Sequence, residues 1–397
     1  MKVLQVLPTL SAGGAEGFVT NLSVSLAEFG ADVRCFLLAG VRGERGQVLF
    51  DRLHNARVEV VGVEEHNVRS IMNFMRLTML IRSWQPDIVQ ANLYAAEVLV
   101  AAARVLSIGS GSCYVRRLAN TEQSEYRSTR VVRMMDRVYR QTIACSPAVA
   151  EAYQVFVGAH HKSELVTIPN GGLLEEAVTT TEEKRQAREK LSIPDETFVV
   201  VHIGRMFGGG NGADGGLAAG QKAHDVLIRT FAKAFAGDHS CMLVMVGDGP
   251  LRPESEALVK NLGIAVQTRF LGQQPEPWPA LKAADVFCFP SRYEGLPNVL
   301  PEAASCGLSV VASDIPEIRI LYPGDAWLLK PVDDVESFAE GLREVRDNLE
   351  AFVCRARDAA EGFRDKFSMM TCADKYLQSY ESALGWTKKN REAGNMQ

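Results

Sequence analysis

The chain has 397 residues, 47% of them apolar and 23% charged, which suits a folded globular protein long enough for two cores and excludes fibrous and disordered classes. A net charge of −5 runs against a nucleic-acid partner held by neutralising many phosphates, and no stretch of about twenty apolar residues is present to span a bilayer. Eight widely spaced cysteines, with no C-x-x-C pair and no histidine cluster at zinc spacing, are expected as reduced, mostly buried thiols of a cytoplasmic protein.

Along the chain, short runs rich in β-branched residues alternate with helical patterns, the mark of βαβ units on a parallel sheet. The apolar start, residues 1–8, is too short for a secretion signal. Strands are predicted first at 3–7, 32–38, 58–61, 87–90, 113–116, 142–144 and 165–168, then at 199–203, 242–246, 266–270, 286–289, 309–312 and 326–329. Between the two sets, 182–192 reads as a charged helix or linker ahead of Pro194, so domains are expected at 1–180 and 181–366. A last helix within 367–386 is expected to pack back on the first domain, and the polar stretch 387–397 to be a flexible tail. The glycine-rich stretch 207–220 is expected to hold no regular element and reads as a tolerated insertion.

Two constellations carry chemistry. Gly204-Arg205 follows the strand at 199–203, and Lys222 precedes a helical pattern at 225–236. Ligands of parallel sheets bind beyond the carboxyl ends of the strands, where a cation pair stabilises charge developing on a departing nucleoside diphosphate. From spacing alone, two solvated cations beside a loop explain the pattern equally well. The second constellation is Pro290-Ser291-Arg292-Tyr293-Glu294-Gly295-Leu296-Pro297-Asn298-Val299-Leu300-Pro301-Glu302. There a strand ends in a turn and opens a helix, whose first amides around residues 295–299 offer a phosphate site without a metal. Glu294 is placed to accept hydrogen bonds from sugar hydroxyls, and Glu302 to hold a ribose diol. The alternative, an ordinary turn glutamate and an ordinary helix glutamate, is disfavoured by the preceding strand and the intervening Gly-Leu-Pro.

Glu294 and Glu302 form the E-x7-E element of the retaining GT-B glycosyltransferases, and the run resembles glycosyltransferase family 4 (glycosyl transferases group 1). Lys222-Ala223-His224-Asp225, Val246-Gly247-Asp248-Gly249-Pro250-Leu251, Ala284-Asp285-Val286, Gly13-Gly14-Ala15-Glu16 and Ile168-Pro169-Asn170-Gly171 are similar to the family's motifs, in its order. The resemblance implies an α/β fold of two Rossmann-like parallel-sheet domains facing a central cleft, with a C-terminal helix crossing back to the first. It implies a retaining enzyme that moves a hexose or N-acetylhexosamine from a nucleotide diphosphate sugar, UDP first among them. The acceptor would be a saccharide or lipid-linked, in cell-envelope polysaccharide or lipopolysaccharide synthesis, with no cofactor and no metal.

In those terms Arg205, Lys222 and Glu294 are the catalytic set. Glu302, Gly295, Leu296, Asn298, Val299, Gly204, Gly13 and Gly14 bind the donor. Family members often carry a histidine near the ends of the fourth and fifth strands, where this chain has Gln90-Ala91-Asn92 and Arg116-Arg117-Leu118-Ala119-Asn120. Asn92, Arg117 and Asn120 are the candidates to stand in on the sugar or acceptor side. The rivals are a sugar-nucleotide epimerase on the same fold and a catalytically silent member.

One further pattern bears on the acceptor. At helical spacing, residues 127–140 set Val131, Val132, Met134, Met135, Val138 and Tyr139 on one face and Arg130, Arg133, Arg137 and Arg140 on the other. A first-domain helix with a solvated basic face is the plain expectation, and peripheral contact with an anionic membrane is a compatible extra role. His160-His161 is expected as a surface loop pair without function.

Overall fold

A computed structural model of the chain describes residues 1–11, 13–62, 71–107, 111–119, 129–158, 162–174, 177–208 and 214–385. It divides into two compact units, Met1–Leu173 with Phe367–Gln397, and Leu174–Lys366.

The first unit is built on β1 (Lys2–Leu7), α1 (Gly14–Glu28), β2 (Asp32–Leu37), α2 (Gly43–Asn55), β3 (Glu59–Val61), α3 (Ile71–Trp84), β4 (Ile88–Asn92), α4 (Tyr94–Leu106), β5 (Cys113–Leu118), α5 (Thr129–Asp136), β6 (Gln141–Ala144), α6 (Pro147–Val157) and β7 (Glu164–Thr167). Its strands form one parallel sheet in the order β3-β2-β1-β4-β5-β6-β7. Val3 stands opposite both Val33 and Ile88, so β1 is covered by neighbours on either side and its apolar residues serve both faces. Strand order reverses between β1 and β4, and right-handed crossovers then put α1 and α2 on one face and α3 to α6 on the other. The packing agrees, α1 against α2, and α3, α4, α5 and α6 each against the next.

The second unit holds α7 (Thr181–Lys190), β8 (Phe198–Ile203), α8 (His224–Phe235), β9 (Cys241–Val246), α9 (Arg252–Asn261), β10 (Thr268–Gly272), α10 (Trp278–Ala283), β11 (Val286–Phe289), α11 (Val299–Ser305), β12 (Ser309–Ser313), α12 (Pro316–Arg319), β13 (Trp327–Lys330), α13 (Val335–Asp347) and α14 (Leu349–Phe367). Its parallel sheet runs β10-β9-β8-β11-β12-β13. The charged segment ahead of β8 is a helix opened by a capping box between Thr180 and Glu183. Asp285 ties that helix to the sheet, accepting from Lys184 (2.6 Å), Arg188 (2.8 Å) and the Val199 amide (2.6 Å). The unit starts at Leu174 because residues just before α7 are already bonded into it, Thr179 N–H donating to Cys306 O at 3.0 Å.

The chain breaks at Ser368, whose Oγ accepts from Thr371 N–H, and α15 (Met369–Leu384) belongs to the first unit. Tyr376 and Tyr380 enter the core beside Phe18 and Leu22, Tyr380 donates to Gln90 Oε1 at 2.6 Å, and Ser379 to Gln141 Oε1 at 2.7 Å.

All thirteen strands of the described residues fall on predicted runs, and three details depart from expectation. The run 266–270 starts as strand only at Thr268, because residues 265–267 form a 3₁₀ turn held by Gln267 Nε2 on the Phe235 and Asp238 carbonyls. In the glycine-rich stretch, residues 217–219 form a 3₁₀ turn, with Leu217 N–H on Glu254 Oε2 at 3.2 Å, where no regular element was expected. The helix expected over 127–140 is described from Thr129 and ends at Asp136, which is fully buried and accepts from Arg116, Tyr153 and Ser163 at 2.7 Å each, a demand that ends the helix. Met134, expected on its inner face, is 64% exposed, and Arg133 turns in to donate to Val157 O. Residues 127 and 128 and the pair His160-His161 lie outside the described residues. No described helix is long and apolar enough to cross a membrane.

Candidate functional site

In the second unit the strand order reverses between β8 and β11, the place where connections leave a parallel sheet in opposite directions and open a crevice. The β8–α8 connection carries Gly204, Arg205 and Lys222; the β11–α11 connection carries residues 290–298. They are stitched together. Arg292 N–H donates to Gln221 O (2.9 Å), Gln221 Nε2 donates to Tyr293 O (2.9 Å) and Glu294 Oε2 (3.3 Å), and Lys222 Nζ donates to Glu294 Oε1 at 2.6 Å. The pair is largely shielded from water, with side chains 18% and 6% exposed, and the Lys222 ammonium lies 4.7 Å from the Phe289 ring centre. The next residue, Ala223, sits in the left-handed region at φ 49°, which costs a residue with a Cβ about 1–2 kcal/mol. Backbone strain is thus stored beside the lysine.

Arg205 is exposed and lies 5.3 Å from the Phe207 ring. Its loop rests on the one after β9: Gly204 N–H donates to Val246 O, Met206 N–H to Asp248 O and Leu251 N–H to Met206 O, at 2.9 to 3.0 Å. That contact explains two glycines. Gly247 and Gly249 have φ of 126° and 154°, and a Cβ there would run into the Gly204 and Met206 carbonyl oxygens.

Gly295 and Leu296 are buried in the turn, while Asn298 and Val299 are half-buried. The helix begins only at Val299, with Asn298 as its N-cap, so of residues 295–299 one alone is helical, narrower than the first-turn donor set expected. Glu302, half-buried, is in its first turn; Pro301 stands beside it, where a missing N–H is tolerated.

Three groups beyond the predicted set complete the site. Arg292 spends its whole fork on positioning: Nη2 on both Asp225 oxygens (3.1 and 3.0 Å), Nη1 on Gly220 O (2.7 Å) and Nε on Asp333 (2.8 Å). It clips the Lys222 segment, α8 and the loop before α13 into one piece. Glu317, 6% exposed in α12, has its carboxyl pushed up by burial and by the neighbouring charge of Glu294, giving the site a third acid. His202 and His224 meet edge to face at 5.0 Å behind Lys222. Burial holds His202 well below the usual imidazole range; burial, with the Lys222 charge second, holds His224 at about 4. Both rings are therefore neutral. The adjacency of Arg292 to Glu294 was a signal available in sequence; Glu317 and the histidine pair depend on contacts between distant segments.

The predicted residues of the first unit are placed differently. Gly13 caps α1, and a Cβ on it would collide with the Glu16 carboxylate, which also accepts from Ser11 Oγ at 3.1 Å. The helix's own acid thus lies beside Gly13, while nothing stands within 4 Å of a Cβ placed on Gly14. Asn92 is 1% exposed and donates to Gln5 Oε1 (2.9 Å) in a buried network with Gln90 and Tyr380. Arg117 is 2% exposed, its guanidinium 4.1 Å from the Phe18 ring and on Asn170 Oδ1 at 2.6 Å. Both are buried among first-unit partners. Asn120 lies outside the described residues.

The family profile described as "Glycosyltransferase Family 4" matches residues 12–172, and the one described as "Glycosyl transferases group 1" matches residues 212–348. The chain is 27% identical to the lipopolysaccharide core biosynthesis glycosyltransferase LpsD of Rhizobium meliloti (strain 1021), covering 94% of this chain and 96% of that one. LpsE of the same organism, also named as a lipopolysaccharide core biosynthesis glycosyltransferase, is 25% identical over 92% of this chain and 95% of its own. Among solved structures, Anabaena Alr3699/HepE in complex with UDP and glucose is similar in fold, with a TM-score of 0.79 at 19% identity over 96% of this chain and 100% of that one.

Proposed function

The chain belongs to the family 4, group 1 glycosyltransferases of GT-B fold, and on that premise we propose that it transfers a hexose or N-acetylhexosamine from a UDP-sugar, with retention, to a saccharide or lipid-linked acceptor of envelope lipopolysaccharide or polysaccharide. The observation that carries the site assignment is the bond from Lys222 to Glu294 at the strand-order reversal of the second unit. An ammonium held there by a shielded carboxylate is pre-positioned for a diphosphate without reorganising when the glycosidic bond breaks. Arg205, exposed on a backbone braced by the β9 loop, supplies the second positive charge, so this work falls to side chains rather than to a metal. Glu294 accepts from the hydroxyls of the transferred sugar, and Glu302 from the ribose.

Retention follows in this reading from a front-side departure: the leaving phosphate accepts the proton of the acceptor hydroxyl as the new bond forms on the same face. The envelope destination is supported by the names of the full-length relatives, and UDP by the ligand named for the Anabaena protein.

The test is a thermal-stabilisation screen of UDP-, GDP- and ADP-sugars, followed by product analysis with and without acceptor. Stabilisation by a UDP-sugar and slow hydrolysis without acceptor are expected. Conversion of the sugar nucleotide into an isomer would establish an epimerase instead, and no response to any sugar nucleotide would leave only a silent family member.

A further inference from the structure

The ladder between β8 and β11, the two strands at the order reversal, is short. They pair in register only at Val200 with Val286 and Val201 with Phe287, although β8 runs on to Ile203 and β11 to Phe289. On its other edge β8 keeps pairing with β9 to its last residue, Ile203 with Val246. β8 thus follows β9 and parts from β11 just short of the connections that carry Arg205, Lys222 and Glu294. A side chain spans the place where the backbone ladder stops: His202, fully buried, has Nδ1 2.9 Å from Cys288 O. A carbonyl oxygen only accepts, so Nδ1 carries the proton and Nε2 is left as a bare lone pair. Burial keeps the ring neutral and that tautomer in place.

The same ring touches what stands above it. Nε2 is buried and has no hydrogen-bond partner among the described residues. A Cβ on Gly204 would lie 2.8 Å from Nε2 and 3.1 Å from Lys222 Cγ, so the glycine is what lets backbone and lysine close down on the ring. On the β11 side the ring stacks on Phe289 at 5.9 Å and 25°, and Lys222 Nζ lies over that same phenyl ring. We propose that His202 is a positioning residue, a strut that fixes the spacing of β8 and β11 beneath the donor diphosphate and so holds Arg205 and Lys222 in place against Glu294. It acts through those groups and meets no donor atom itself. Its consequence rests on the donor-site reading, whereas the strut stands on the tautomer alone. The rival is a core histidine that only fills space, and such a ring needs no particular nitrogen to carry the proton.

Two substitutions separate the ring from its donor. His202→Asn puts an amide nitrogen close to where Nδ1 stands and can still donate to Cys288 O, whereas His202→Phe keeps a ring and donates nothing. Titration calorimetry of UDP against the whole chain should give the Asn variant wild-type affinity within about threefold and the Phe variant a loss of about tenfold or more, at unchanged stoichiometry, since a displaced cation pair weakens every molecule alike. Val345→Ala, which hollows the core of the same unit at α13, should lower the melting temperature and bind as wild type. NMR of the imidazole nitrogens in histidine-labelled wild type, with the His202 signals identified by their loss in the Asn variant, should show a proton on Nδ1 and none on Nε2, and it needs no folded Phe variant. The proposal is overturned by a proton on Nε2, by a Phe variant of full affinity, by an Asn variant as weak as the Phe one, or by an equal loss in Val345→Ala. A wild type that binds no UDP would overturn the donor-site reading instead, with the tautomer still deciding the strut.

Discussion

Lys222→Met leaves the Glu294 carboxylate in a place where 6% of its side chain meets water, and Glu294→Gln leaves an ammonium beside the Phe289 ring with a weaker partner. At 2.6 Å and an effective dielectric of 20, the attraction between the two charges is about 6 kcal/mol, and desolvation of both takes back most of it. A net coupling of about 2 kcal/mol remains. Each single variant should thus unfold about 2–3 kcal/mol more easily than wild type, and the double variant about 2 kcal/mol less than the sum of the two. Urea denaturation of the four proteins measures the cycle. Turnover should fall about a hundredfold or more in each single variant and little further in the double, since the groups act as one unit. Effects that add within about 0.5 kcal/mol would refute the reasoning, because the two groups would then not share a site.

Arg292→Lys replaces a five-donor fork by a point charge and cannot hold Asp225, Gly220 O and Asp333 at once, so kcat should drop about tenfold or more while the chain still folds. An unchanged kcat in steady-state kinetics would discard that positioning role. Glu317 is raised when folded, so its contribution is full below the ordinary carboxylate range and is lost as pH rises through the raised value. Glu317→Gln should therefore raise the melting temperature near about pH 7 and give no gain near about pH 4; the reverse order would contradict the assignment. His224 has the opposite sign: with its folded value at about 4, it withdraws up to about 3 kcal/mol of stability as pH falls from 6.5 toward 4. Urea midpoints of His224→Gln should be flatter across that window than those of wild type.

The parallel sheets were readable because buried strands of this class are continuous β-branched runs, as in Val199-Val200-Val201, and because Gly204-Arg205 and Gly295-Leu296-Pro297 mark where chain leaves a strand end. The bond from Lys222 to Glu294 was not readable, because it depends on the reversed strand order that brings the two connections together. What escaped is set by contacts between distant segments. Asp136 cuts its helix short because Arg116, Tyr153 and Ser163 all reach it, and nothing in residues 127–140 announces them. Arg117 alternates with Arg116 along β5 and so enters the opposite layer, where Phe18 and Asn170 receive it. Glu16, one turn on from Gly13, turns its carboxylate toward that glycine, a contact the glycine pair alone does not announce.

Titration calorimetry of UDP against the wild type and against Arg205→Ala with Lys222→Ala tests the central assignment most directly. Saturable binding by the wild type, weakened about thirtyfold or more in the double variant by loss of two charge-assisted contacts, is the predicted result. Equal affinity in both proteins would place the diphosphate elsewhere and contradict it.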